Sequence, residues 1–321
     1  MTSIKASLLI TLFLTTITLI KAKSTEICSL CNCSLVKITQ ESRVLADDQK
    51  LDKISFNYRT DIVGQFINAQ NISTSDKYLY MDCSADENVG HLDNLDWPNA
   101  YFLGVYGNFR RSKWKTIETF PKFIRPQMVK LSLAENLIKD IAAAELEGFS
   151  QLKMFNLTQN LITSINKTTF QGIYSLLKLD LSQNKINKLE SLAFYTLTDL
   201  TFLNLSRNEI SYLEKDAFSG NGNLAVLDLS FNELAKLPVE FKNNVKFLKS
   251  LHIKNNALEW VPELPKNLTL LDISDNHLTS LNLGITDLEY LDVSNNQLIN
   301  IDEAFQLYNL KVCNDAPSPF N

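Results

Sequence analysis

The stretch Leu177–Ile186, "LKLDLSQNKI", sets the reading of the chain. Leu177, Leu179 and Leu181 alternate with Lys178, Asp180 and Ser182. That two-residue period predicts a strand with one face buried. An asparagine and then an isoleucine follow at Asn184 and Ile186. The asparagine recurs at Asn136, Asn160, Asn184, Asn208, Asn232, Asn256, Asn276 and Asn296, first every 24 residues and finally every 20. When the residue eight before each asparagine is numbered position 1, position 4 reads Leu131, Phe155, Leu179, Leu203, Leu227, Leu251, Leu271 and Leu291. Position 6 reads Leu133, Leu157, Leu181, Leu205, Leu229, Ile253, Ile273 and Val293. Position 11 is isoleucine or leucine in every unit. A short side chain with both an acceptor and donors suits a turn buried between units, where unpaired backbone groups are costly.

This pattern resembles the leucine-rich repeat, L-x-x-L-x-L-x-x-N-x-L. The resemblance implies an α/β leucine-rich repeat solenoid, curved, with a parallel β-sheet on the concave face and a disulfide-containing N-terminal cap. The second half of the long units carries Phe170, Phe194, Phe218 and Phe241, which are expected to stack as a column opposite the sheet. Each buried leucine or phenylalanine contributes roughly 1.5–3 kcal/mol. One unit cannot offset its own ordering entropy, whereas a stack can. Short helix or 3-10 turn is expected on the convex side of the long units. The short units leave little room for it, and Pro262 and Pro265 favour extended connections, with a change of curvature near Trp260.

The division expected is a signal peptide over 1–24, an N-terminal cysteine cap with a degenerate first repeat over 25–127, eight repeats over 128–309, and an incomplete ninth repeat with a tail over 310–321. Lys5 precedes an apolar run over 6–20, too short to span a bilayer comfortably, and Ala22-x-Ser24 offers a cleavage site. These features predict a secreted, extracellular protein with no membrane span in its mature form. Four of five cysteines, Cys28, Cys31, Cys33 and Cys83, lie ahead of the repeats. Four cysteines allow three pairings, and closure of Cys31 on Cys33 would be strained, which leaves two. "ICSLCNCS" with the later "YMDCSADE" resembles the cysteine cap that precedes extracellular leucine-rich repeats, and that resemblance implies Cys28–Cys33 with Cys31–Cys83. Sequons for N-glycosylation occur at Asn71, Asn156, Asn166, Asn204 and Asn267. A further one, at Asn32, lies between two cysteines and is set aside.

The whole chain is similar to secreted insect leucine-rich immune proteins of the mosquito type, in a form without a coiled coil; "VCNDAPSPF" looks like the start of their cysteine-containing joint. The resemblance implies recognition in innate immunity through an immune or cell-surface protein partner. The alternative is an extracellular adhesion, developmental or receptor-ectodomain-like repeat protein.

A search for chemistry returns little. His91, His252 and His277 share no metal-ligand spacing, and no phosphate loop, dinucleotide fingerprint or hydrolase elbow occurs. No enzyme, metal or cofactor is therefore expected. A net charge of −5 without a basic block argues against nucleic acid. Asp180, Asp228, Asp272 and Asp292 share position 5, and repeat consensus accounts for them. Position 3 is more informative: Met154, Phe202, Val226, Leu270 and Tyr290, together with Phe231 at position 8, place apolar groups on the sheet face as a ligand-binding patch. Glycans on Asn156 and Asn204, both at position 5, would shield the second and fourth units. Finally, Leu310 starts a ninth unit, so Cys313 falls at inward position 4. Cys313 is then either a buried thiol or, as the odd cysteine, a link to a second copy or another partner through the C-terminal end.

Overall fold

The computed structural model describes residues 32–37, 77–82, 104–108, 128–281, 288–298, 300–301 and 312–314. The chain divides into two compact units, one of residues 1–114 and 121–131 and the other of residues 115–120 and 132–321. The signal segment, Cys28, Cys31, Cys83 and Asn71 lie outside the described residues. Cys33 lies in a described strand, but the cap disulfides are not part of what the structure describes.

In the first unit β1 (Asn32–Lys37) runs antiparallel to β2 (Lys77–Asp82), with Cys33 opposite Met81. β2 runs parallel to β3 (Gly104–Asn108). β4 (Met128–Ser132) closes that stretch of chain, with Met128 and Leu131 fully buried.

The second unit is the solenoid. Its principal strands are β5 (Met154–Asn156), β6 (Lys178–Asp180), β8 (Phe202–Asn204), β10 (Val226–Asp228), β11 (Ser250–His252), β12 (Leu270–Asp272), β14 (Tyr290–Asp292) and β16 (Val312–Asn314). All pair in parallel and in register, position for position: Val226 with Ser250, Ser250 with Leu270, Leu270 with Tyr290. Each strand holds only positions 3 to 5, and positions 4 and 6 are buried from Leu131 through Val293. A flanking ribbon pairs β7 (Lys188–Leu189) with β9 (Tyr212–Leu213), and another pairs β13 (Ser280–Leu281) with β15 (Asn300–Ile301).

The asparagines form the expected ladder, with more bonds per residue than the sequence suggested. Asn184 Oδ1 accepts the Ile162 N–H at 3.1 Å, and its Nδ2 donates to the Leu157 and Leu181 carbonyls at 3.0 Å. The same trio recurs at Asn160, Asn208, Asn232, Asn256, Asn276 and Asn296. Asn136 likewise donates to the Leu133 carbonyl. From Asn160 to Asn296 each ladder asparagine thus ties its own turn to the preceding unit and pairs backbone groups that would be costly to bury unpaired.

Opposite the sheet runs the phenylalanine column. Phe170 stacks on Phe194 at 5.8 Å between ring centroids, and Phe194 on Phe218 at 6.1 Å. Phe218 meets Phe241 edge to face at 5.9 Å, because Phe241 opens α1 (Phe241–Asn244) while the neighbouring rings sit on turns. The only other helical piece among the described residues is a 3-10 turn at Ala143–Glu145, so most long units cross the convex side on turns alone. Glycine is required there at two places. Gly172 has φ +105° and Gly220 +99°, and a Cβ would meet the Leu146 carbonyl oxygen at 2.5 Å or the Tyr195 backbone at 3.0 Å.

Candidate functional site

The sheet face presents two columns, at positions 3 and 5. Position 3 contributes Met154, Lys178, Phe202, Val226, Ser250, Leu270 and Tyr290, each half-buried. Their neighbours on either side are the same position one unit away, so flanks are covered and tips remain open. The binding residues named from the sequence therefore lie in one register: Phe202 beside Val226, and Leu270 beside Tyr290. Phe231 lies apart from that column, on the turn that follows the strand.

Position 5 has a structural task that the sequence did not reveal. Its side-chain oxygen accepts the backbone N–H of position 7: Asn156 from Thr158 at 2.9 Å, Asp180 from Ser182 at 2.9 Å, Asn204 from Ser206 at 3.0 Å and Asp228 from Ser230 at 2.9 Å. Asp272 and Asp292 do the same for Ser274 and Ser294, and also accept those hydroxyls. Short side chains with an acceptor suit such turns. The aspartates are thus anchored individually, and among the described residues no group of three or more ligating side chains could hold a metal ion.

Position 8 is the clearest omission of sequence reasoning. Glu135, Gln159, Gln183, Arg207, Phe231, Asn255, Asp275 and Asn295 all adopt the left-handed conformation, with φ between 54° and 57°. The turn needs it to lead the chain out of the sheet and into the ladder asparagine. The asparagines and aspartate at Asn255, Asp275 and Asn295 were the available signal, because those residue types tolerate that region best. Phe231 is a bulky exception, and the Arg207 guanidinium lies over its ring, 4.2 Å from the centroid.

Toward the last units charge accumulates. Lys254 Nζ contacts Asp275 Oδ2 at 3.2 Å, and Asn295 Nδ2 donates to Asp275 Oδ1 at 2.7 Å. That hydrogen bond with Asp275 holds the Lys254 ammonium above its ordinary pKa. Burial, then the nearby Asp292 and Asp272, raise the Tyr290 phenol. His252 sits between Asp228 and Asp272 in register, and its Nε2 lies 3.0 Å from Ser250 Oγ. No third group among the described residues hydrogen-bonds that imidazole, so the contact reads as a polar pair on the sheet surface.

The remaining sequence-level sites separate by exposure. Asn166 and Asn267 are exposed, and Asn156 and Asn204 half-buried. Asn204 Nδ2 donates to Asp180 Oδ2 at 3.3 Å, and Asn267 Nδ2 to the Lys246 carbonyl at 2.9 Å. The Asn166 amide oxygen accepts from the Thr168 N–H and hydroxyl. Cys313 pairs in register with Leu291, at position 4 as counted. His277 is exposed on its turn. No helix among the described residues is long and apolar enough to cross a membrane.

Two family models, each described as leucine rich repeat, match residues 126–186 and 175–234 in one case and 287–307 in the other. Among solved structures, the chain is similar to one in "Octameric complex of Latrophilin 3 (Lec, Olf), Unc5D (Ig, Ig2, TSP1) and FLRT2 (LRR)". The likeness covers 76% of each chain at 26% identity, with a TM-score of 0.61. It is also similar to the functional domain of InlJ from Listeria monocytogenes, at 21% identity and TM-score 0.54 over 72% of this chain and 47% of that one; it spans about half of that structure's length. No curated protein matches the chain. The fold is a leucine-rich repeat solenoid.

Proposed function

We propose that the protein is a secreted recognition protein that binds a protein partner on its sheet face, in innate immunity and without turnover. The observation that carries the reading is the register of half-buried apolar side chains at position 3, above all Phe202 beside Val226 and Leu270 beside Tyr290. Their tips offer apolar area on a sheet that its own backbone bonds already hold in place, and a rigid surface spends less of its contact energy on ordering. The leucine-rich repeat fold and the likeness to a chain in a complex of Latrophilin 3, Unc5D and FLRT2 support a role in protein–protein contact. Secretion rests on the short apolar run over 6–20, the early cysteines and the sequons. The immune assignment rests on the resemblance to insect leucine-rich immune proteins.

A photo-crosslinking residue placed at Val226, and separately at the exposed Phe247 off the sheet face, tests this. Incubated with extracellular fluid of the source organism, the Val226 form should capture a discrete partner and the Phe247 form should not. Capture at neither position, or only at Phe247, overturns the binding face. A matrix or neuronal partner at Val226, with no immune or microbial one, overturns the immune assignment alone.

A further inference from the structure

We propose that the sheet face of units five to eight takes a cationic, extended segment of a protein partner, one that sets basic side chains beside apolar ones. This rests on the reading of the sheet face as the binding surface. The argument starts from position 5. The turn there needs only one acceptor oxygen, and asparagine supplies it as well as aspartate: the bonds from Thr158 to Asn156 and from Ser206 to Asn204 match those that Asp180 and Asp228 accept. The negative charge at Asp228, Asp272 and Asp292 is therefore surplus to the fold.

In the early units such surplus is absorbed. Position 5 is asparagine in units two and four, and the second oxygen of Asp180 accepts the Asn204 amide. In the later units it is not. The second oxygens of Asp228 and Asp272 accept no hydrogen bond from a described residue, and that of Asp292 only a long one, 3.5 Å, from the Tyr290 hydroxyl. Across positions 3, 5, 7 and 8, units five to eight carry Asp228, Asp272, Asp275 and Asp292 against Lys254, a net three negative. The same positions in units two to four carry Lys178 and Arg207 against Asp180, a net one positive.

The apolar column runs alongside. On β10, β12 and β14 the position-3 residues Val226, Leu270 and Tyr290 stand two residues before an aspartate, so each strand offers an apolar group and a carboxylate on one face. A partner segment that matches must carry the opposite charge beside apolar side chains, and like charge there would be rejected. The sequons at position 5, Asn156 and Asn204, fall in units two and four; the one sequon within units five to eight, Asn267, lies ahead of β12 and not at position 5.

The test uses the full chain and two fluorescent peptides, one of alternating lysine and leucine and one of alternating glutamate and leucine, read by anisotropy at low and high salt. The lysine peptide should bind, more weakly in high salt, and the glutamate peptide should not. Produced like the parent in a host that does not N-glycosylate, because each change creates an N-x-S sequence, the Asp228→Asn/Asp272→Asn double variant keeps the turn acceptors, should melt with the parent, and should bind the lysine peptide about tenfold more weakly. If the double variant binds it as the parent does, the peptide docks elsewhere and the inference fails. If both peptides bind alike, the face docks apolar segments without reading charge; the inference fails and the binding-face reading stands. If neither binds while the Val226 crosslinker captures a partner, again only the inference fails. If neither binds and that crosslinker captures nothing, both fail.

Discussion

The long units and the short ones share a sheet but not a back. Between Phe149 and Phe241 every long unit sets a buried phenylalanine opposite its strand, and from Phe170 onward they meet ring against ring. The 20-residue units after Leu248 have none; Leu264 and Pro265 are buried near the extended connection, while Trp260 is exposed. Yet strand pairing and ladder bonds are the same in both regions. The comparison teaches that sheet and ladder define the unit, whereas the convex core is an addition whose size can vary.

The largest expected effect breaks the column. Phe194→Ala leaves a cavity between two stacked rings and should cost about 3–5 kcal/mol, read by chemical denaturation; a loss below about 1 kcal/mol would mean that the column is loosely packed. Next comes the ladder. Asn208→Leu strands the Ile186 N–H, while the Leu181 and Leu205 carbonyls each keep one ladder amide, from Asn184 and Asn232. It should cost about 1–3 kcal/mol, and Asn276→Leu in a short unit should cost the same. A clear inequality between the two would show that the backs of the units matter to the ladder after all. A smaller effect concerns alkaline pH. Tyr290 and Lys254 hold their protons more tightly in the folded chain than in the unfolded one. The stability linked to them is complete below about pH 10 and fades as pH rises past their folded pKa values. Tyr290→Phe should accordingly lose less melting temperature above that pH than the parent does. The smallest effect is Asp228→Asn, which, in protein made without N-glycosylation, keeps the acceptor for Ser230 and should change stability by under about 0.5 kcal/mol.

These regions also mark what could be read in advance. The solenoid was legible because Leu179, Leu181 and Asn184 recur with little change, and buried slots admit few residue types. The phenylalanine column was legible for the same reason. The left-handed turn at position 8 was not, because Gln159, Arg207 and Phe231 share a backbone angle but no chemistry. Nor was the tether of position 5, since Asp228 looks the same whether its oxygen faces water or the Ser230 N–H. The half-burial of Phe202 depends on side chains about 24 residues away, which local pattern does not report.

The ladder spans 22 residues between donor and acceptor in the long units and 18 in the short ones, at bond lengths of 3.0–3.1 Å in both. It counts turns of the chain, not residues along it. The molecule thus behaves as a grid with fixed rows and elastic margins: material can enter or leave a convex segment without moving any address on the sheet. A graft that exchanges one unit's strand and asparagine for another's would rewrite a single row of the recognition surface and leave every other row where it was.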